Sequence, residues 1–222
     1  QKDPRWGWVD YSVIKVLDIR TGEEKQLTHK SKYFSPDITE DGTLIAAVQN
    51  EPNGKSEIHI LNTANGEVIQ KIKSGAIIQF TDPKFADDNN LVSIVKLKNG
   101  EMALALAEIS TGNTIRLTPP SVMVSGFPFV KDGYVYFTAG YDGDDNIYAL
   151  RLKDKKIFKL TTGQSGKYFA NTGNGNLTWS EFTAEGYQLR QEKLDMSKWE
   201  EENAENIISP VERFPVYLPS GI

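Results

Sequence analysis

The sequence predicts an all-β repeat protein made of four-stranded antiparallel units, and two independent landmarks carry that reading. The first is a turn followed by an apolar run. It reads P-D-I-T-E-D-G from Pro36 to Gly42 before Leu44, P-K-F-A-D-D-N from Pro83 to Asn89 before Leu91, and P-F-V-K-D-G from Pro128 to Gly133 before Val135. A fourth copy lacks the proline and keeps Asn174-Gly175 before Leu177. The second landmark closes each unit: Leu27-Thr28, Ile72-Lys73, Leu117-Thr118 and Leu160-Thr161, spaced 45, 45 and 43 residues apart. A tight turn stands before each of them, at Thr21-Gly22, Asn65-Gly66, Thr111-Gly112 and Asp154-Lys155. Asp-Gly and Asn-Gly supply positive φ and join antiparallel neighbours. A period of roughly 44 residues holding about four β runs is the spelling of a β-propeller blade. A single blade cannot bury both its faces, so blades must stack.

Taken in order, Gln1 to Tyr11 carries Trp6, Trp8 and Tyr11, and alternate positions 6 and 8 share one strand face. They read as an aromatic platform or as packing against a preceding blade, and packing is preferred. Ser12 to Ile19 and Lys25 to Thr28 are the third and fourth strands of a blade whose first two are absent. The chain therefore starts in mid-blade and is expected to be a piece of a larger protein. Complete units follow. Their strands are Leu44 to Val48, Glu57 to Leu61 and Val68 to Ile72; then Leu91 to Leu97, Met102 to Ile109 and Thr114 to Leu117; then Tyr134 to Ala139, Ile147 to Leu152 and Lys156 to Leu160. Near-continuous apolar runs such as Met102 to Ala107 fit strands buried on both faces. A fourth unit has Leu177 to Phe182 and Tyr187 to Leu194.

Beyond residue 195 the pattern changes. Ser197-Lys-Trp-Glu200 spells a capping box and predicts a short acidic helix through Glu205. Ile207 to Ser209 is a candidate closing strand, and Pro210, Pro215 and Pro219 mark a linker-like tail. The division expected is thus 1–195 for the propeller and 196–222 for helix and tail. It holds about four and a half blades in a ring that does not close within the chain.

These units resemble TolB-type, WD-like propeller blades. The resemblance rests on Pro36…Asp41-Gly42…Ile45-Ala46, on Asn146-Ile147-Tyr148 and on Leu160-Thr161, and it covers about Val13 to Leu194. It departs at Asp88-Asn89, which replaces Asp-Gly, and in the proline-free fourth unit. The resemblance implies a bacterial cell-envelope protein, periplasmic or surface, and a non-catalytic platform that binds a protein or a small ligand. A runner-up is the gating propeller of a prolyl-oligopeptidase-like serine peptidase whose hydrolase domain lies outside this chain. A propeller lyase acting on sugars would need a metal centre that two histidines do not supply.

Composition narrows the function classes. A net charge of −5 and the lack of a basic block argue against phosphate-backbone binding, so no nucleic-acid partner is expected. Cysteine is absent, which removes disulfides and thiolate metal sites. No apolar run approaches the roughly 18 residues of a membrane-spanning helix. His29 and His59 stand at unequal blade positions, and His59, between Ile58 and Ile60, reads as a packed histidine. Asp142, Asp144, Asp145 and Asn146 could supply oxygen ligands for calcium, but their place between second and third strands reads as a polar hairpin turn. Asp41, Asp87 and Asp88 read the same way. No G-x-S-x-G, H-E-x-x-H or P-loop is present. No catalytic, metal or cofactor residue is nominated, no cofactor is expected, and the partner expected is a protein or the rest of the same polypeptide.

Overall fold

Each repeat folds into the antiparallel sheet that its turns dictate. The computed structural model describes residues 10–51, 54–203 and 207. The expectations for Trp6, Trp8, the closing strand at Ile207 to Ser209 and the proline-containing tail fall outside these residues, Ile207 apart. Eighteen strands occupy the described residues. Strands β1 (Lys15–Leu17) and β2 (Glu24–Gln26) form a two-stranded sheet. Strands β3 (Tyr33–Ile38), β4 (Leu44–Asn50), β5 (Ser56–Asn62) and β6 (Val68–Ile72) form the first full blade. The second is β7 (Ile77–Phe85), β8 (Asn90–Leu97), β9 (Met102–Glu108) and β10 (Thr114–Arg116). The third is β11 (Ser125–Lys131), β12 (Tyr134–Ala139), β13 (Asn146–Arg151) and β14 (Ile157–Lys159). Strands β15 (Lys167–Gly173), β16 (Asn176–Thr183) and β17 (Gly186–Lys193) make a three-stranded sheet, and β18 (Glu200–Glu201) joins the third blade beside β14.

The chain divides into two compact units, Gln1–Gly100 with Leu104–Leu117, and Glu101–Ala103 with Thr118–Ile222. In the first unit one face of the β3–β6 sheet presents Ile45, Ala47 and Leu61 to Ile14 and Leu27. On the other face Ala46, Val48, Ile58 and Ile60 are equally buried. Burial on both faces is why these strands read as continuous apolar runs. In the second unit Tyr136, Ile147 and Ala149 of the third blade pack against Ala170, Leu177 and Trp179 of the next.

The Leu-Thr landmark has a chemical reason. Leu27 N–H donates to the Ile14 carbonyl at 2.9 Å, and the Thr28 hydroxyl accepts the Ile14 N–H at 2.8 Å. Leu160 and Thr161 repeat this on Ile147, at 2.9 Å for each bond. The hydroxyl stands in for a backbone carbonyl where the fourth strand stops. The turns before this landmark need left-handed backbone, met by Gly22, Gly66 and Gly112, and by Lys155 in the third blade. Gly66 has a second constraint: a Cβ there would lie 2.4 Å from the Leu27 carbonyl oxygen.

Two expectations are corrected. The prolines assigned to turns lie inside the first strand of their blades, Pro36 in β3, Pro83 in β7 and Pro128 in β11. Each of these strands is the edge of its sheet and each is bulged there. Edge and bulge are where a residue without an N–H is tolerated. The acidic helix does not form over the described residues. The cap is Asp195 rather than Ser197: its carboxylate accepts the Ser197 N–H at the start of a single 3-10 turn, Met196–Lys198. Glu200 and Glu201 then pair antiparallel with Lys159 and Phe158. Trp199 fixes this route, its ring 5.2 Å from Tyr134 and 5.7 Å from Phe158 between centroids.

Candidate binding surface

The bulge in the first strand recurs in all four sheets that have one, and each time it holds a non-glycine residue in the left-handed region: Ser35 at φ 48°, Asp82 at 49°, Phe127 at 54° and Phe169 at 58°. The register slips at the same points, between Phe34 and Asp37, Thr81 and Lys84, Gly126 and Phe129, and Tyr168 and Asn171. Asp adopts such backbone more readily than most residues, and a small Ser meets less crowding than a bulky residue, which is an outlier there. Three of the four precede proline, which also disfavours α-type backbone at the preceding residue. Strained backbone of this kind persists only where the surroundings over-determine it.

In the second unit this geometry aims two rings outward. Phe127 is 37% exposed and Phe169 is 60% exposed, and their centroids stand 4.3 Å apart. Tyr168 meets the edge of Phe127 at 6.0 Å, Tyr187 follows at 6.2 Å, and Phe182 lies 5.0 Å beyond. Tyr187 and Phe182 are exposed as well. The five rings make one continuous aromatic surface over β11 and the β15–β17 sheet. Tyr168 is anchored: its hydroxyl donates to Asp145 at 2.6 Å. That bond, with burial behind it, pushes the phenol up to about 12, so Tyr168 remains a neutral donor.

The residues weighed from sequence go elsewhere. Asp142 pairs with Lys159 and accepts from the Tyr148 hydroxyl, Asp145 takes Tyr168, and the Asp144 carbonyl accepts from Asn146. The Asp142 and Asp145 carboxylates thus go to separate partners. Among the described residues no group of three or more His, Asp or Glu side chains converges as a metal site would. Asp41 accepts from Thr39 and Thr43, and Asp87 from Asn89 and Asn90, both within their own turns. His29 is exposed beside Gln26. His59 is buried between the Tyr33 hydroxyl at 2.8 Å and Glu57 at 3.3 Å.

The blades were legible in the sequence, but the aromatic surface was not. A signal existed. The residue immediately before the repeated proline is Ser35, Asp82 or Phe127, and Phe169 takes the same place where proline is missing.

No family model matches the chain. A TolB homolog from Chlorobaculum tepidum is 26% identical over 151 residues, which is 64% of this chain and 34% of that protein. The crystal structure of TolB from Acinetobacter baumannii superposes with a TM-score of 0.66 at 18% identity, covering 85% of this chain and 48% of that one. The fold is that of a TolB-like β-propeller. This TolB-like chain spans about a third of the curated relative's length and about half of the solved TolB chain. The same fold occurs in a puromycin-hydrolyzing peptidase from Mycobacterium tuberculosis, with a TM-score of 0.61 at 14% identity over 81% of this chain and 30% of that one. No helix among the described residues is long and apolar enough to cross a membrane.

Proposed function

We propose that this TolB-like propeller is a non-catalytic binding domain that holds a protein partner through the aromatic surface centred on Phe127 and Phe169. The observation that carries the proposal is the exposure of two phenylalanines on left-handed backbone, where the first unit places serine and aspartate. Folding alone gives no reason to hold a bulky ring on strained backbone and then leave it in water. Exposed aromatic residues supply much of the energy of protein interfaces once a partner desolvates them. Five rings in series suit an extended segment bearing apolar side chains rather than a small polar molecule. The likeness to TolB supports a place in the bacterial cell envelope, periplasmic or surface-exposed. The likeness to a peptidase supports a second reading, in which the propeller gates a hydrolase domain outside this chain.

Selection of a random peptide display library on the purified protein tests the binding reading. Peptides rich in apolar side chains should be enriched, and their affinity should fall about tenfold or more in a Phe127→Ser, Phe169→Asn protein, as expected for removing interface anchors. Selection that yields no binder, or binders indifferent to both changes, contradicts it.

A further inference from the structure

The three full blades end in a fourth strand, but the β15–β17 sheet stops at its third. Among the described residues no strand pairs with the outer edge of β17. The stretch that follows is used elsewhere: β18 begins nearly as far after β17 as β14 begins after β13, yet it pairs with β14. An open strand edge presents a row of unpaired N–H and C=O groups, a template for another strand. The rest of the chain shows what such an edge takes. Three times an apolar residue at the end of a unit donates its N–H to the preceding strand: Leu27 to Ile14 at 2.9 Å, Leu117 to Leu104 at 2.8 Å and Leu160 to Ile147 at 2.9 Å. At Ile14 and Ile147 the threonine that follows then accepts the N–H of the same residue.

Strand β17 offers the same frame. Leu194 N–H donates to the Gly175 carbonyl at 3.0 Å, as Leu152 N–H donates to Gly133 at 3.0 Å, so Leu189 stands where Ile147 does, 42 residues on. The register between β16 and β17 is unbroken, and bonding direction alternates along an antiparallel strand. Leu194 turns its N–H toward the β16 side, so Leu189 and Gln191, at odd separations from it, turn theirs to the open edge. Leu189 is 82% exposed. Space for a strand is present too. A cavity of about 480 Å³ is lined by three successive residues of β17, Arg190, Gln191 and Glu192, and by Leu160, Thr161 and Thr162 at the end of the third blade. Successive strand residues point to opposite faces, so a cavity that meets all three follows the edge rather than one face.

We infer that the edge of β17 binds an extended segment of a partner protein, added antiparallel as the fourth strand and ending on an apolar residue followed by threonine. The N–H of that apolar residue donates to the Leu189 carbonyl, and the threonine hydroxyl accepts the Leu189 N–H. Backbone pairing along the edge supplies the affinity, as in other strand-addition complexes, and the threonine fixes the register. The site is built from backbone and does not depend on Phe127 and Phe169, so either surface can fail without the other. The probe is a fluorescein-labelled, amidated peptide copying Asn113–Thr118, N-T-I-R-L-T, titrated into the full chain and followed by anisotropy. The expected result is saturable binding, weakened about fivefold by Thr118→Val in the peptide, the size of one neutral hydrogen bond. Leu189→Pro deletes the same bond from the other side, and an edge strand tolerates proline where the missing N–H faces outward. It should weaken the parent peptide at least as much and abolish the effect of Thr118→Val, because the two changes remove one interaction. Leu189→Thr, which keeps the N–H, should leave the affinity unchanged, as should Phe127→Ser with Phe169→Asn. If the proline variant does not fold, hydrogen exchange on the parent carries the test: the peptide should slow exchange of the Leu189 and Gln191 amides. Absence of binding, indifference to Thr118→Val in the parent, unprotected Leu189 and Gln191 amides, or an affinity that falls only in the phenylalanine variant overturns the inference.

Discussion

His59 shows how much a single position can hold in a sheet buried on both faces. Its neutral form with a proton on Nε2 donates to Glu57 and accepts the Tyr33 hydroxyl on Nδ1, so both ring nitrogens are matched. Burial lowers its pKa below the ordinary 6.5, outweighing the opposing hydrogen bond to Glu57, and nearby Lys71 adds to the depression. The folded state therefore binds a proton less readily than the unfolded chain. His59's contribution to stability is complete above about pH 6.5 and is lost as the pH falls from there through the folded pKa. Urea unfolding at pH 7.5 and pH 5 should show a drop in midpoint at the lower pH, and His59→Gln should make that drop smaller. Phe169 sets two opposing terms against each other. Left-handed backbone costs a bulky residue about 1–2 kcal/mol, and a ring pair returns about 0.5–1.5 kcal/mol. Phe169→Asn should therefore leave stability within about 1 kcal/mol of the parent, read by urea unfolding, while it removes binding. A large loss would show that the ring is there to hold the fold together.

At the scale of elements, turns and tertiary pairing divide what the sequence could disclose. The turn glycines could be read because positive φ restricts the choice of residue, and they should differ in cost as their surroundings differ. Gly22 has open space where a Cβ would go, whereas at Gly66 a Cβ would strike the Leu27 backbone. Gly22→Ala should cost about 1 kcal/mol from backbone strain alone, and Gly66→Ala about 3 kcal/mol or more, because rigid backbone must move as well. Equal costs in urea unfolding would contradict the close approach. The end of the chain misled for the opposite reason. Ser197 and Glu200 have the spacing of a capping box, but a local spelling cannot report that β14 offers a free edge and that Trp199 has Tyr134 and Phe158 to pack on. Trp199→Ala should cost about 2 kcal/mol for a half-buried ring. The exposed Lys156–Glu201 pair across β14 and β18 should contribute under about 1 kcal/mol.

At the scale of the molecule, the propeller was legible because two landmarks repeat for separate chemical reasons. One is the left-handed turn, and the other is the threonine hydroxyl that replaces a carbonyl on Ile14 and Ile147. The first strands were harder to see. A bulge breaks the alternation of side chains, and proline inside a strand reads as a turn until its edge position is known. The aromatic surface was hidden because Phe127, Tyr168, Phe169, Phe182 and Tyr187 come from four strands of two stacked sheets, and no stretch of sequence places them together. The claim joining fold to function is that the repeated bulge presents Phe127 and Phe169 for binding. It is tested most directly by equilibrium affinities of one selected peptide for three proteins: the parent, Phe127→Ser with Phe169→Asn, and Leu17→Ser with Ile19→Ser. Leu17 and Ile19 are exposed apolar residues in the first unit and serve as the control for general stickiness. The account predicts a loss of about tenfold or more for the phenylalanine variant and an unchanged affinity for the control. Equal losses in both, or none in the phenylalanine variant, would contradict it.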